Sequence, residues 1–207
     1  FHNTPDRYRA LLETLERDSM HRAAQVQPEI EFALARQAEM ATIQNALTAG
    51  ELPLRVTHND TKLNNVLLDA KTRKALCVID LDTVMPGSSL YDFGDSIRFG
   101  AATAAEDEKD LSKMEMSLDR FRVFTRGYVR ACPGLTAKEL ELLPMGAKNM
   151  TMECGVRFLT DYLDGDHYFA VHRDGQNLDR ARTQFKLVAD MEKKWDKMRR
   201  IVEEEAK

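Results

Sequence analysis

The stretch Val56–Asp69, VTHNDTKLNNVLLD, runs a histidine, an aspartate, a lysine and an asparagine in the order His58-x-Asp60-x-Lys62-x-x-Asn65. After a short hairpin, the run VIDLD places Asp80 and Asp82 at the end of the next apolar segment. Phosphoryl transfer asks for such a set. One carboxylate accepts the proton of an attacking hydroxyl, and an amide oxygen with a second carboxylate holds Mg²⁺ against the phosphates. Strands flanking a tight hairpin would set Asn65 and Asp80 side by side. A polar loop of this kind also has an ordinary use, because Asp and Asn side chains bond their own backbone in turns. Asp82 is open between a metal ligand and a loop brace. Asp92 and Asp95, further on, could be solvated charges near a helix N-terminus, and that is the reading taken for Asp95.

The elements that must position these groups are mostly helical. Thr4 reads as an N-cap with Pro5 in the first turn, and Tyr8, Leu11, Leu12 and Leu15 follow at helical spacing. A second helix is expected over about 27–49, closed by Gly50. From Leu52 to Asp82 the runs LRV, NVLLD and ALCVID are strand-like, and DAKTRK suits the turn between the last two. Further helices are expected near 118–131, 136–143, 148–163 and 178–205. Thr136 with Glu139 forms a capping box, and Gly165 closes the penultimate helix. Trp195 is expected to pack the terminal helix onto the body.

The 207 residues suit a single core; 43% are apolar, 31% are charged, and the net charge is −4. No basic stripe suggests nucleic acid, and no apolar run is long enough to span a bilayer. Cys77, Cys132 and Cys154 are odd in number and lack CxxC spacing, so reduced thiols in a cytoplasmic protein are expected. The chain opens on Phe1 rather than Met and has no glycine before Gly50. It is read as a piece of a longer protein.

The segments LRVTHNDTKLNNVLLD, VIDLDTVMPGSSLYDFGDSIRFGA and MTMECGVRFLTDYLDGDHYF together resemble the aminoglycoside phosphotransferase and choline kinase branch of the protein-kinase-like superfamily. Within it they are most similar to bacterial N-acetylhexosamine 1-kinases. The resemblance implies an α+β fold, mostly helical: residues 1–207 as the C-terminal lobe of a kinase-like enzyme, with the catalytic and metal loops on a small β-hairpin. It implies Asp60 as catalytic base and Asn65 and Asp80 as Mg²⁺ and nucleotide ligands. Lys62 would lie against the transferring phosphate, with Asp82 a further metal ligand. Asp92 would brace the catalytic loop and His58 would be structural. Phe99, Arg157 and Tyr168 would approach the sugar, although the first also reads as core and the others as helix surface.

The implied activity is transfer of the γ-phosphate of ATP to the anomeric hydroxyl of an N-acetylhexosamine or related hexose. An aminoglycoside or choline-like acceptor, or a pseudokinase-like module that binds without catalysis, are the alternatives. Asp80 is followed by Leu-Asp rather than Phe-Gly, and Asp92 comes only twelve residues later, which leaves no room for a protein kinase activation segment. No G-x-G-x-x-G and no strand Lys paired with a helix Glu occur, so the expected missing partner is an N-terminal nucleotide-binding lobe of the same protein.

Overall fold

A computed structural model describes residues 1–207. Eight α-helices and four short strands form a mostly helical α+β body. In chain order they are α1 (Thr4–Arg17), α2 (Gln27–Leu34), α3 (Thr42–Thr48), β1 (Arg55–Thr57), β2 (Val66–Leu68), β3 (Ala75–Val78), β4 (Met85–Gly87), α4 (Ser89–Gly100), α5 (Leu118–Ala131), α6 (Ala137–Asp164), α7 (Gln176–Lys193) and α8 (Trp195–Glu205). No helix is long and apolar enough to cross a membrane.

The organising element is α6, whose 28 residues are buried along most of their length. Helices α1, α4, α7 and α8 pack around it, as expected for a helix without a polar stripe. Its start is the expected capping box, and Gly165 in the left-handed region ends it. The sequence led us to expect two helices separated near Pro144. Instead the helix runs through, because Leu142, Leu143, Met145 and Ala147 are all core residues and neighbours on several sides hold the turn that proline weakens.

The other departures also follow from long-range contacts. The expected helix over 27–49 breaks between α2 and α3, where Met40 enters the core and Glu39 meets the buried Lys148. The expected C-terminal helix divides at Lys194, whose ammonium bonds Asp190 and the Met116 carbonyl. Trp195 packs against the core at the start of α8. Asn3, not Thr4, caps α1, because the Thr4 hydroxyl is engaged by Asn149 and Glu153.

Two antiparallel strand pairs carry the polar loop. Strands β1 and β4 pair Arg55 with Gly87 and Thr57 with Met85, while β2 and β3 pair Val66 with Val78 around the DAKTRK turn. Glu139, on the first turn of α6, ties the first pair to the helices. It accepts from Arg55 on β1, Ser89 at the start of α4, and the Thr136 backbone. Helix α4 crosses α6 where Gly94 faces Gly146; a methyl on Gly146 would lie 2.7 Å from the Leu90 carbonyl oxygen, and one on Gly94 would strike the Gly146 carbonyl.

Two measurements check this architecture. Gly94→Ala should destabilise by about 1–3 kcal/mol, since the obstructing atoms are backbone, seen as a lower urea midpoint with an unchanged slope. Burial pushes the Glu139 carboxyl up, but the Arg55, Ser89 and Thr136 bonds outweigh this and hold it down to about 2, against an ordinary 4.5. A depressed carboxyl contributes fully above its ordinary value and loses that contribution as pH falls toward 2. Between pH 5 and pH 3 the urea midpoint of Glu139→Gln should therefore fall less than that of the unmodified chain.

Candidate active site

The polar loop leaves β1 at Thr57 and is fastened to α4 before it reaches Asp60. Asp92, in the first turn of α4, accepts the backbone N–H groups of His58 at 2.9 Å and Asn59 at 2.7 Å. The Thr61 hydroxyl donates to the Asp92 carbonyl, and the Ser96 hydroxyl lies against both Asp92 and Thr61 carbonyls. Asn59 takes a left-handed conformation, φ 64°, which asparagine tolerates better than most side chains. Its amide reaches the Thr83 carbonyl, and the Thr57 hydroxyl donates to its Oδ1.

His58 links the loop to the hairpin. Its Nε2 donates to the Ile79 carbonyl at 2.9 Å, and its Nδ1 accepts the Asp60 backbone N–H at 3.2 Å. Both ring nitrogens are thereby committed, and His58 serves as a strut between the Asp60 backbone and the residue preceding Asp80.

Asp60, Lys62 and Asn65 converge. The Asn65 amide donates to Asp60 Oδ2 at 2.9 Å and to the Asp60 carbonyl at 2.8 Å, and Lys62 Nζ lies 2.9 Å from the same Oδ2. Burial works against the Lys62 ammonium, but its bond to Asp60 and the charges of Asp60, Asp80 and Asp95 prevail and raise it above the usual lysine value. It is a fixed cation at neutral pH.

The Ile79 N–H donates to the Asn65 carbonyl at 2.9 Å, so Asp80 leaves the hairpin directly beside Asn65. Asp80 is exposed and left-handed, φ 63°; Asp82 is exposed on the turn that follows. No three His, Cys, Asp or Glu side chains converge into a metal cage. The oxygen donors at hand are the Asn65 amide oxygen, whose NH₂ is directed at Asp60, and the Asp80 carboxylate. This partial set fits Mg²⁺, which commonly takes one or two carboxylates and completes its shell with water and phosphate oxygens.

Asp60 and Lys62 open onto a cavity of about 420 Å³ between α4, α6 and the segment before α7. Arg157 and Tyr168 both line it: the guanidinium lies 5.5 Å from the Tyr168 ring centre and 5.3 Å from that of Phe169, and it donates to the Tyr168 hydroxyl. Tyr168 is 71% exposed, at the cavity's mouth. Phe99 does not line it. It sits one position beyond Arg98, about 100° around α4, so the helix turns it away from the cavity.

Asp95 needs correction. Expected as a solvated charge, it is 4% exposed, pairs with Arg98 Nε at 2.9 Å, and has an Oδ2 with no hydrogen-bond partner. Arg98 also pairs with Glu106, which approaches Arg180 at 3.9 Å. The i, i+3 spacing of Asp95 and Arg98 was visible in the sequence. Glu106 and Arg180, which complete this wall, are brought in from a loop and from α7 and carry no local signal.

A family model described as the phosphotransferase enzyme family, APH, matches residues 2–118, more than half of the chain. The chain belongs to this family. The matched region runs through the polar loop, the hairpin and α4, and therefore holds Asp60, Lys62, Asn65, Asp80 and Asp92. Arg157 and Tyr168 lie beyond it.

Asp92 offers a direct test of the loop's attachment. Burial raises its carboxyl above the ordinary range despite the two N–H groups it accepts. Asp92→Ala, which orphans both donors, should destabilise by about 2–4 kcal/mol in urea unfolding, and Asp92→Asn, which keeps an acceptor, by less.

Proposed function

We propose that this chain is the acceptor-binding and catalytic part of an ATP- and Mg²⁺-dependent small-molecule kinase whose acceptor is an N-acetylhexosamine or related hexose. The observation that carries the reading is the meeting of Asp60, Lys62 and Asn65 on one carboxylate oxygen at the edge of the Arg157–Tyr168 cavity. A hydroxyl seated there faces the Asp60 carboxylate. As its oxygen bonds to the γ-phosphorus and the bridging oxygen leaves with ADP, its proton passes to Asp60. Lys62 meets negative charge on the transferring group. Mg²⁺ held by Asn65 and Asp80 would supply neutralisation of the phosphate oxygens; a role for Asp82 beside them belongs to the same reading. An anomeric hydroxyl is more acidic than an ordinary alcohol, which suits a carboxylate base.

The charge pattern of the cavity favours a neutral polyol over the alternatives. A polycationic aminoglycoside calls for free carboxylates, whereas Glu106 and one oxygen of Asp95 are already engaged by Arg98. A choline-like headgroup calls for an open aromatic cage, and the Tyr168 and Phe169 rings face the Arg157 guanidinium instead. Flat rings and a fixed guanidinium suit a sugar's apolar face and its hydroxyls.

We further propose that an N-terminal lobe covers the nucleotide and the hairpin. Strands β2 and β3 leave apolar side chains in solvent: Leu76 is 66% and Val78 52% exposed, with Leu63, Leu67 and Leu81 nearby. A surface of this kind usually meets a partner, and a nucleotide-covering domain is the partner we assign to it.

In full-length protein supplied with ATP and Mg²⁺, N-acetylhexosamines should be phosphorylated in preference to aminoglycosides and choline, while residues 1–207 alone should turn over little or nothing. Asp60→Asn should lower kcat by about 10²–10⁴-fold. An Asp60→Asn protein with unchanged turnover rules out the assigned base, and preference for an aminoglycoside rules out the assigned acceptor.

A further inference from the structure

His2 lies outside the polar loop, in the segment before α1, yet its side chain is only 4% exposed and touches the loop. Nε2 is 2.9 Å from the carbonyl oxygen of Asn59, and Nδ1 is 2.7 Å from Oε1 of Glu153 on α6. A carbonyl only accepts, so Nε2 carries a hydrogen. The Nδ1 contact then requires one more proton, either on the imidazole and given to the carboxylate, or on Glu153 and given to the imidazole. Without it, a nitrogen lone pair and a carboxylate oxygen would face each other in a site nearly closed to water, since Glu153 is 1% exposed. Glu153 Oε2 is occupied by the Thr4 hydroxyl at 2.6 Å and offers no relief.

The carbonyl that His2 holds belongs to the peptide unit joining Asn59 to Asp60. The N–H of that same unit is held by His58. One histidine therefore grips each edge of the peptide plane from which the Asp60 side chain departs. The N–H of Asn59 goes to Asp92 and its side chain to Thr57 and Thr83, leaving His2 as the partner of its carbonyl.

We propose that His2 and Glu153 form a positioning pair bound by a single shared proton, which fixes the peptide plane ahead of Asp60 and releases it when that proton is lost. The inference rests on the reading of Asp60 as the base only for its effect on catalysis. The charged and titratable groups around the pair are Arg7 on α1, with Nε 4.0 Å from Glu153 Oε1; Tyr91 and Asp92 on α4; and Asp60 and Lys62 across the cavity. Burial favours a neutral Glu153, but contacts with His2, Thr4 and Arg7 overcome it and set the carboxyl below its ordinary range.

Amide hydrogen exchange and histidine ¹⁵N spectra of the whole protein, without substrate, test the pair apart from the kinase reading. The protection factors of the Asn59 and Asp60 amides should fall at least about tenfold as rising pH removes the shared proton. His2→Leu should lack that protection at every pH while α4 and α6 stay protected. Glu153→Gln, whose amide can donate to Nδ1 of a neutral imidazole, should retain it across the range; should His2→Leu not fold, Glu153→Leu against Glu153→Gln makes the same comparison. In the phosphotransfer assay His2→Leu should lower kcat by about 10- to 100-fold with little change in acceptor KM, as a displaced reacting group does. Loop protection independent of pH, or a Glu153→Gln protein as unprotected as Glu153→Leu, overturns the proposal. So does loss of protection spread evenly through α4 and α6.

Discussion

Everything at the site depends on one carboxylate accepting two backbone N–H groups. Asp92 does not face the cavity with Asp60 and Lys62, yet it holds the His58 and Asn59 amides and so decides where the next residue points. Burial disfavours its ionised form and the two donors favour it, and the loop geometry depends on that balance. Because Asp92 sits on α4, and α4 crosses α6 at two glycines, the loop is referenced to the most deeply packed part of the molecule. A left-handed Asn59 persists because Thr57, Thr83, Asp92 and His2 all bond it.

The site thus divides into a rigid part and an exposed part. Asp60, Lys62 and Asn65 are anchored through α4 and the β1–β4 pair. Asp80 sits at the end of a two-stranded hairpin that packs little surface of its own, joined to the anchored part through the His58–Ile79 and Ile79–Asn65 bonds. Such a division suits a site where one set of groups must hold an acceptor still while the other meets a nucleotide arriving from a different direction.

What could be read from the sequence was local. The order His58, Asp60, Lys62, Asn65 lies within a single loop, the DAKTRK turn announces the hairpin that brings Asp80 back, and Thr136 with Glu139 marks the start of α6 through chemistry confined to four residues. What could not be read was set by packing. Pro144 suggested a break that neighbouring helices suppress. Asp95 stands three residues before Arg98, but the burial of that pair is set by Glu106 and Arg180, which come from a loop and from α7. The His2–Glu153 contact spans 151 positions and follows no pattern that periodicity or spacing could reveal. Phe99 failed as a lining residue for a simpler reason: a position adjacent to Arg98 on a helix points elsewhere.

The exposed hairpin has a thermodynamic meaning as well. A strand pair without a covered face belongs to the least stable cooperative unit of its protein and opens long before the helices do. The Asp80 carboxylate rides on that unit, so on the proposed reading the affinity for a cation there would include the work of ordering β2 and β3. Whatever first stills the hairpin removes that entropic penalty for the ligand that comes second, and the two then assist each other with no change in the average shape of either site.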